Sequence, residues 1–283
     1  MAPNWEAQIK QINKLSVLGK QQERVSDTTA APELAAFIEK PQITAKSVLA
    51  YDFSSGSMLY TQNFDEKLPV ASLTKLITAM VIADSGKLDE FVVVQEEDTK
   101  VIGANTGLFV DEKIRVSELL KATLIASHND STMALARYVG GTVENFVRLM
   151  NQKAKEIGMT NTHFANPVGF DDPNHYSSAL DISLAVGRFL SYDMLNQIVR
   201  TPETEIKASN VAFSHKITTT NKLLLEDKSI IGVKTGYTTE AKGNLVIRSV
   251  RNNADVVTIV LGSDDREGDT RKILDWIYTV YRW

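Results

Sequence analysis

Apolar residues recur along this chain at two different periods, and the change from one to the other predicts where strands give way to helices. Ser47–Phe53 and Ser57–Thr61 flank a Ser-Ser-Gly turn with β-branched and aromatic residues and read as a β-hairpin. Two more strands are predicted at the far end, Asn244–Val250 and Val256–Leu261, joined by Arg251-Asn252-Asn253-Ala254-Asp255. A closing helix follows from about Arg266 to Tyr281, with Ile273, Leu274, Ile277 and Tyr281 on one face. Between these ends the period is helical. Leu73, Leu76, Ile77, Met80 and Val81 form the stripe of a helix opening at about Ala71, and Gly86 stands where its C-terminal cap belongs. Further helices are predicted at Ser117–Ile125, at Ser131–Val139 ended by Gly140-Gly141, at Thr142–Ile157 ended by Gly158, and at Leu180–Ser191. Strands at both ends with helices between them suggest one antiparallel sheet assembled from the two ends of the chain, with a helical insertion beside it.

Trp5, Ile9, Ile12, Leu15 and Leu18 predict an amphipathic helix over about residues 4–22, and Ser26–Pro32 has linker composition. Residues 1–40 are therefore expected to be a helical or flexible appendage without chemistry, and 41–283 one folded domain whose body begins near Ile43.

Composition narrows the function classes. A hydrophobic fraction of 43% with only 15 Gly and 7 Pro in 283 residues excludes disorder and collagen-like repeats. The net charge of −4 offers no basic field for nucleic acid, so no nucleic-acid partner is expected. No apolar run approaches the ~20 residues of a membrane-spanning helix. Met1–Val25 has no apolar core of a secretory leader, so the expectation is a cytosolic protein or a mature form lacking its leader. The absence of cysteine removes thiolate nucleophiles and sulfur-bound zinc. The four histidines, His128, His163, His175 and His215, show no H-E-x-x-H or comparable spacing. No metal and no organic cofactor is expected, and His163 and His175 read as structural hydrogen-bonding groups.

The candidate chemistry begins on the helix opening at Ala71. Ser72 and Lys75 are three residues apart, about 60° around a helix, so both can face one cleft as nucleophile and base. Free amide N–H groups at the helix start favour a developing oxyanion. A lysine serves as a base only if burial or a neighbouring cation pulls its pKa toward neutrality. Two further patterns stand downstream: Ser127-His128-Asn129 interrupts a helical stretch, and Lys234-Thr235-Gly236 follows the apolar Ile230-Ile231-Gly232-Val233. S-x-x-K, S-x-N and K-T-G each occur once, in that order.

With these motifs the chain resembles the serine D-alanyl-D-alanine carboxypeptidases, the low-molecular-weight penicillin-binding proteins. The resemblance extends through Pro69-Val70-Ala71-Ser72-Leu73-Thr74-Lys75, Ser127-His128-Asn129-Asp130, Gly158-Met159-Thr160-Asn161-Thr162-His163-Phe164, Asn166-Pro167-Val168-Gly169, His175-Tyr176-Ser177 and Gly232-Val233-Lys234-Thr235-Gly236-Tyr237-Thr238, and covers about residues 43–283. It implies the β-lactamase and penicillin-binding-protein type of α/β fold, with the active site between the sheet and the helical subdomain. It also implies that residues 41–283 are a D-Ala-D-Ala carboxypeptidase domain acting on peptidoglycan stem peptides on the outer side of the cytoplasmic membrane, and acylated by β-lactams.

The implied roles follow residue by residue. Ser72 attacks the carbonyl between two D-alanines and Lys75 takes its proton. Ser127 relays a proton to the leaving amine, and Asn129 holds Lys75 and the substrate amide. Lys234 faces Ser127 and the substrate carboxylate, and Thr235 hydrogen-bonds that carboxylate. Gly236 lets the strand approach the ligand, and the N–H groups of Ser72 and Tyr237 form the oxyanion hole.

Rivals on the same scaffold are a D,D-endopeptidase, which the residues do not separate from a carboxypeptidase, a β-lactamase, and a non-catalytic peptidoglycan-binding protein. Class A β-lactamases need a glutamate in an E-x-x-L-N segment. Glu144, Glu156, Glu203, Glu205 and Glu226 each lack an Asn four residues later, so a long-lived penicilloyl adduct is expected. Retention of both Ser72 and Lys75 speaks against the non-catalytic protein. Two departures from the family stand out. His128 is larger than the usual middle residue of S-x-N and is expected to line the cleft and make activity pH-dependent at about 6 to 7. Lys242 stands where many relatives carry a small residue. Some family members continue into a β-rich domain and an amphipathic anchor, whereas this sequence ends at Trp283.

Overall fold

The computed structural model describes residues 30–283, and the helix predicted over residues 4–22 lies outside them. The chain runs through β1 (Glu33–Leu34), β2 (Ser47–Asp52), β3 (Met58–Gln62), a 3-10 turn (Ala71–Thr74), α1 (Lys75–Asp84), β4 (Phe91–Val93), α2 (Glu96–Thr99), β5 (Lys113–Arg115), α3 (Val116–Ile125), α4 (Asn129–Gly140), α5 (Val143–Glu156), α6 (Ala179–Leu190), α7 (Asp193–Val199), β6 (Glu203–Lys207), β7 (Ser214–Thr218), α8 (Lys222–Glu226), β8 (Ile230–Thr238), β9 (Lys242–Arg251), β10 (Ala254–Ser263), α9 (Arg266–Val280) and β11 (Tyr281–Arg282).

Five strands form the central antiparallel sheet in the order β3-β2-β10-β9-β8, so the N-terminal hairpin joins the C-terminal strands through the β2–β10 pair, as the strands at both ends predict. Alternate side chains of these strands enter two different cores. Val48, Ala50, Val256 and Val260 pack with Ile273, Leu274 and Ile277 of α9. Leu49, Tyr51, Val257, Ile259 and Leu261 pack with Leu73, Leu76, Ile77 and Met80 and with the helices of the subdomain. A sheet covered on both faces needs apolar residues at consecutive positions, which is why β2 and β10 read as continuous apolar runs. Glu33–Leu34 pair with Tyr281–Arg282, which ties the start of the described chain to its end.

Helix boundaries follow local capping chemistry. Thr142 accepts from the Asn145 N–H, Ser178 from Asp181 and Asp265 from Gly268, each fixing a helix start. Gly86 has φ +72° just beyond the C-cap Ser85, the left-handed end that its position predicts. Two boundaries differ from expectation. The helix predicted from Ala71 begins as a 3-10 turn and becomes α-helical only at Lys75, because Ala71 is held at φ +46°. The helix predicted from Ser131 begins at Asn129. The two-stranded pair β4–β5, the hairpin β6–β7 and the short helices α2, α7 and α8 carry too few residues to establish a period and are not predicted by the pattern of the chain.

Candidate active site

The 3-10 turn bearing Ser72 is wedged between two backbones. A Cβ on Gly169 would lie 1.9 Å from the Ala71 carbonyl oxygen, and one on Gly236 would lie 3.0 Å from the Ser72 nitrogen. Only glycines allow the loop at 169 and strand β8 to close on the turn this tightly. Thr74 Oγ1 donates back to the Ala71 carbonyl at 2.7 Å and contacts His175 Nε2 at 2.7 Å, which locks the turn from beneath.

Lys75 opens α1 and is fully buried. Its Nζ donates to Ser72 Oγ at 2.9 Å, to Asn129 Oδ1 at 2.8 Å and to the Val168 carbonyl at 3.1 Å. Burial pulls its pKa down to about 7, and the charge of Asp130 pushes in the opposite direction. Near pH 7 the amine is therefore poised between two states. When neutral, its two N–H groups stay on Asn129 and Val168, and its lone pair turns to the Ser72 hydroxyl.

Asn129 is held by its own contacts. Its Nδ2 donates to the Ile102 carbonyl at 2.9 Å, and its backbone N–H donates to the Ala104 carbonyl at 2.7 Å. Ser127, at φ +61° between α3 and α4, places a buried Oγ with no hydrogen-bond partner among the described residues beside the cleft. Lys234 on β8 is 1% exposed and donates to the Thr235 carbonyl at 3.0 Å. Among the described residues Lys234 and Ser127 share no hydrogen bond, the Lys234 ammonium turning to the backbone of its own strand. Burial, then repulsion from Lys75 and Arg266, pulls the Lys234 pKa well below its ordinary value. Thr235 Oγ1 meets Thr220 Oγ1 at 2.5 Å, and Tyr237 is 67% exposed at the rim.

Ser72, Ser127, Asn129, Thr235, Gly236 and Tyr237 line one cleft of about 600 Å³, with Lys75 and Lys234 buried beneath it. A larger cavity of about 1070 Å³, lined by Leu34, Phe37, Tyr60 and Trp276, contains none of the motif residues. The cleft is also lined by residues that none of the three sequence motifs marks: Ile102–Ala104, Val168, Phe170, Asp171, Thr220 and Arg266. Arg266 Nη1 donates to the Gly236 carbonyl at 2.9 Å, and Thr238 Oγ1 donates to Asp171 Oδ1 at 2.6 Å across the cleft. Val168-Gly169 lies in a recognised sequence block, but the loop's approach to Lys75 is set by Asn166 Oδ1, which accepts from the N–H groups of Gly169 at 2.8 Å and Phe170 at 3.0 Å.

The histidines divide. His175 is 3% exposed, accepts at Nδ1 from the Ala165 N–H at 3.1 Å, and burial lowers its pKa to about 4. His163 bonds the Asn174 carbonyl through Nδ1 at 2.6 Å. His128, expected to line the cleft, is not among its lining residues: its Nδ1 meets Thr106 Oγ1 at 2.9 Å, and burial lowers its pKa from the ordinary histidine value. Lys242, at φ +56°, pairs with Asp264 at 3.8 Å at the surface. Among the described residues no cluster of three or more metal-ligating side chains occurs, and no helix is long and apolar enough to cross a membrane.

Residues 35–265 match the model of the D-alanyl-D-alanine carboxypeptidase family. The chain belongs to this family. It is 34% identical to D-alanyl-D-alanine carboxypeptidase DacF of Bacillus subtilis over 84% of this chain and 63% of that protein, so it spans less than two thirds of that relative. It is 31% identical to a D-alanyl-D-alanine endopeptidase of Escherichia coli over 89% of this chain and 82% of that protein. Among solved structures, the Streptomyces K15 DD-transpeptidase superposes with a TM-score of 0.81 at 27% identity, over 86% of this chain and all of that one. The family and the α/β fold implied by the motifs are those found.

Proposed function

We propose that this family member is a serine D-alanyl-D-alanine carboxypeptidase that removes the terminal D-Ala of peptidoglycan stem peptides, with residues 41–283 as its catalytic domain. One observation carries the reading: a fully buried lysine, pulled to about pKa 7, within 2.9 Å of a serine hydroxyl at the floor of a cleft. Neutral Lys75 takes the Ser72 proton as Oγ bonds to the scissile carbonyl carbon. The oxyanion is met by the N–H groups of Ser72 and Tyr237. As the C–N bond breaks, Ser127 passes a proton to the departing D-Ala amine, and water then attacks the acyl-enzyme, releases the shortened peptide and restores Ser72. Lys234 and Thr235 attract the terminal carboxylate, and Asn129 orients both Lys75 and the substrate amide.

Penicillins acylate the same hydroxyl. Among the described residues no glutamate lines the cleft, so the adduct is expected to persist. The substrate places the enzyme outside the cytoplasmic membrane. A second reading, a D,D-endopeptidase that cuts cross-links with the same residues, is favoured by the greater share of the endopeptidase relative's length that this chain covers.

Intact-mass spectrometry after incubation with a penicillin, followed over time and repeated on Ser72→Ala, tests the reading. A single persistent adduct on Ser72, absent from the variant, together with D-Ala release from a pentapeptide, is expected. Rapid loss of the adduct with hydrolysed drug marks a β-lactamase instead. Cleavage of cross-linked dimers without D-Ala release marks the endopeptidase, and absence of any adduct removes the serine mechanism.

A further inference from the structure

The mechanism above uses Asn129 and leaves its neighbour Asp130 without a role, although Asp130 is 1% exposed. Its carboxylate accepts from four backbone N–H groups: Oδ1 from Thr106 at 2.9 Å and Ser131 at 2.7 Å, and Oδ2 from Gly107 at 3.0 Å and Leu108 at 3.4 Å. Three of these donors belong to the segment 102–108, which has no helix or strand of its own and supplies Ile102, Gly103 and Ala104 to the cleft. The same segment is joined to α4 through Thr106 Oγ1, which meets His128 Nδ1 at 2.9 Å and Ser131 Oγ at 2.6 Å. It returns the hold on Asn129 through the carbonyls of Ile102 and Ala104, and Asn129 Oδ1 accepts from Lys75.

We propose that Asp130 is a positioning residue for the reaction: its carboxylate clamps segment 102–108 to the start of α4, and supplies negative charge that opposes the effect of burial on Lys75. The proposal rests on the reading of Ser72 and Lys75 given above. A segment of seven residues without a ladder gains its shape from whatever satisfies its N–H groups, and a carboxylate receiving several such bonds is a strong anchor. If the anchor is lost, the Ile102 and Ala104 carbonyls shift, and Asn129 and Lys75 shift with them.

The electrostatic part has a definite sign. Asp130 raises the pKa of Lys75 against the effect of burial. The other charged or titratable groups around it are Lys234 on β8, with Arg266 of α9 beyond it, His128 before α4, and His215 of β7 paired with Glu112. Lys75 and Lys234 both oppose protonation of His128, and Asp130 favours it, so one field links the whole group. Removing the carboxylate leaves Lys75 neutral down to lower pH.

The test is the second-order acylation rate by a fluorescent penicillin between pH 5 and 9, with amide hydrogen exchange at residues 102–108, for the wild-type chain, Asp130→Asn and Asp130→Glu. For Asp130→Asn the expected result is a plateau rate lowered at least tenfold, and an acid limb displaced to lower pH by about one unit. Exchange at Thr106, Gly107 and Leu108 is expected to rise at least tenfold. Asp130→Glu keeps the charge and moves the carboxylate by one methylene, so its acid limb stays near that of the wild type while exchange still rises. An acid limb of Asp130→Asn that coincides with that of the wild type overturns the proposal, as does unchanged exchange in both variants. If Asp130→Asn does not fold, a displaced acid limb in Asp130→Glu together with slow exchange overturns it equally. Failure of the wild-type chain to be acylated refutes the functional reading instead, and the clamp is then decided by hydrogen exchange alone.

Discussion

Gly169→Ala is the substitution that most sharply tests the way the nucleophile is held. Gly169 has φ +92°, and an added Cβ would lie 1.9 Å from the Ala71 carbonyl oxygen, 2.3 Å from its carbon and 2.9 Å from the Ser72 nitrogen. Relief needs a movement of more than about 1 Å, since carbon and carbonyl oxygen rarely approach below about 3 Å without strain. The movement must come from the turn carrying Ser72 or from the loop carrying the Val168 carbonyl that receives Lys75. Backbone strain at positive φ adds ~1–3 kcal/mol, so a total loss near 3 kcal/mol is expected. At about 2–4 °C per kcal/mol for a domain of this size, Tm falls by roughly 6–12 °C. Misplacing reacting groups by ~1 Å lowers acylation on the order of 100-fold.

Gly86→Ala provides the comparison. Gly86 has φ +72° and open space around the built Cβ, so it meets the conformational penalty without the clash. Its expected loss is about 1 kcal/mol with an acylation rate within twofold of wild type. Thermal denaturation and stopped-flow acylation of both variants decide the matter. If Gly169→Ala acylates at the wild-type rate and melts within 2 °C of Gly86→Ala, the wedging of the serine turn is refuted.

Other expectations follow from the same contacts. Acylation of the wild-type chain should fall with an acid limb near pH 7, because protonated Lys75 cannot accept the Ser72 proton, and Lys75→Ala should lower the plateau by about 100- to 10,000-fold; a flat profile from pH 5 to 8 contradicts the assignment. His175 is lowered from 6.5 to about 4, so the unfolded chain binds the extra proton first. Its contribution is complete above about pH 6.5 and lost as pH falls toward 4, a difference of roughly 3 kcal/mol that urea unfolding of the wild type and His175→Gln at pH 4, 5.5 and 7 should show as a shallower slope in the variant. Asp98 is 2% exposed and forms a bidentate pair with Arg137. Asp98→Ala should cost about 3 kcal/mol, read as a lowered urea midpoint, with Asp98→Ala/Arg137→Met recovering part of the loss.

Local chemistry made much of this protein legible before its structure. The spacing of Ser72 and Lys75 places them on one side of a helical turn whatever surrounds them, and the hairpin β2–β3, strands β9 and β10, and α9 follow from periods that each segment carries by itself. The glycines at 86 and 141 end helices by their own conformational freedom. What tertiary structure alone decided concerns groups far apart in the chain. The base strength of Lys75 depends on its complete burial and on Asp130, and its hydrogen bonds reach Asn129 and Val168, 54 and 93 residues away. The same holds for the positive φ of Ala71, the turning of Lys234 to the backbone of its own strand, the place of His128 outside the lining of the cleft, and the arrival of Arg266 and segment 102–104 at its walls. Residue type and spacing determine which groups are able to react and how neighbours along one element are arranged. Burial, electric field and close backbone approach are sums over contacts between distant segments, and they exist only once the sheet and the helical subdomain have packed together.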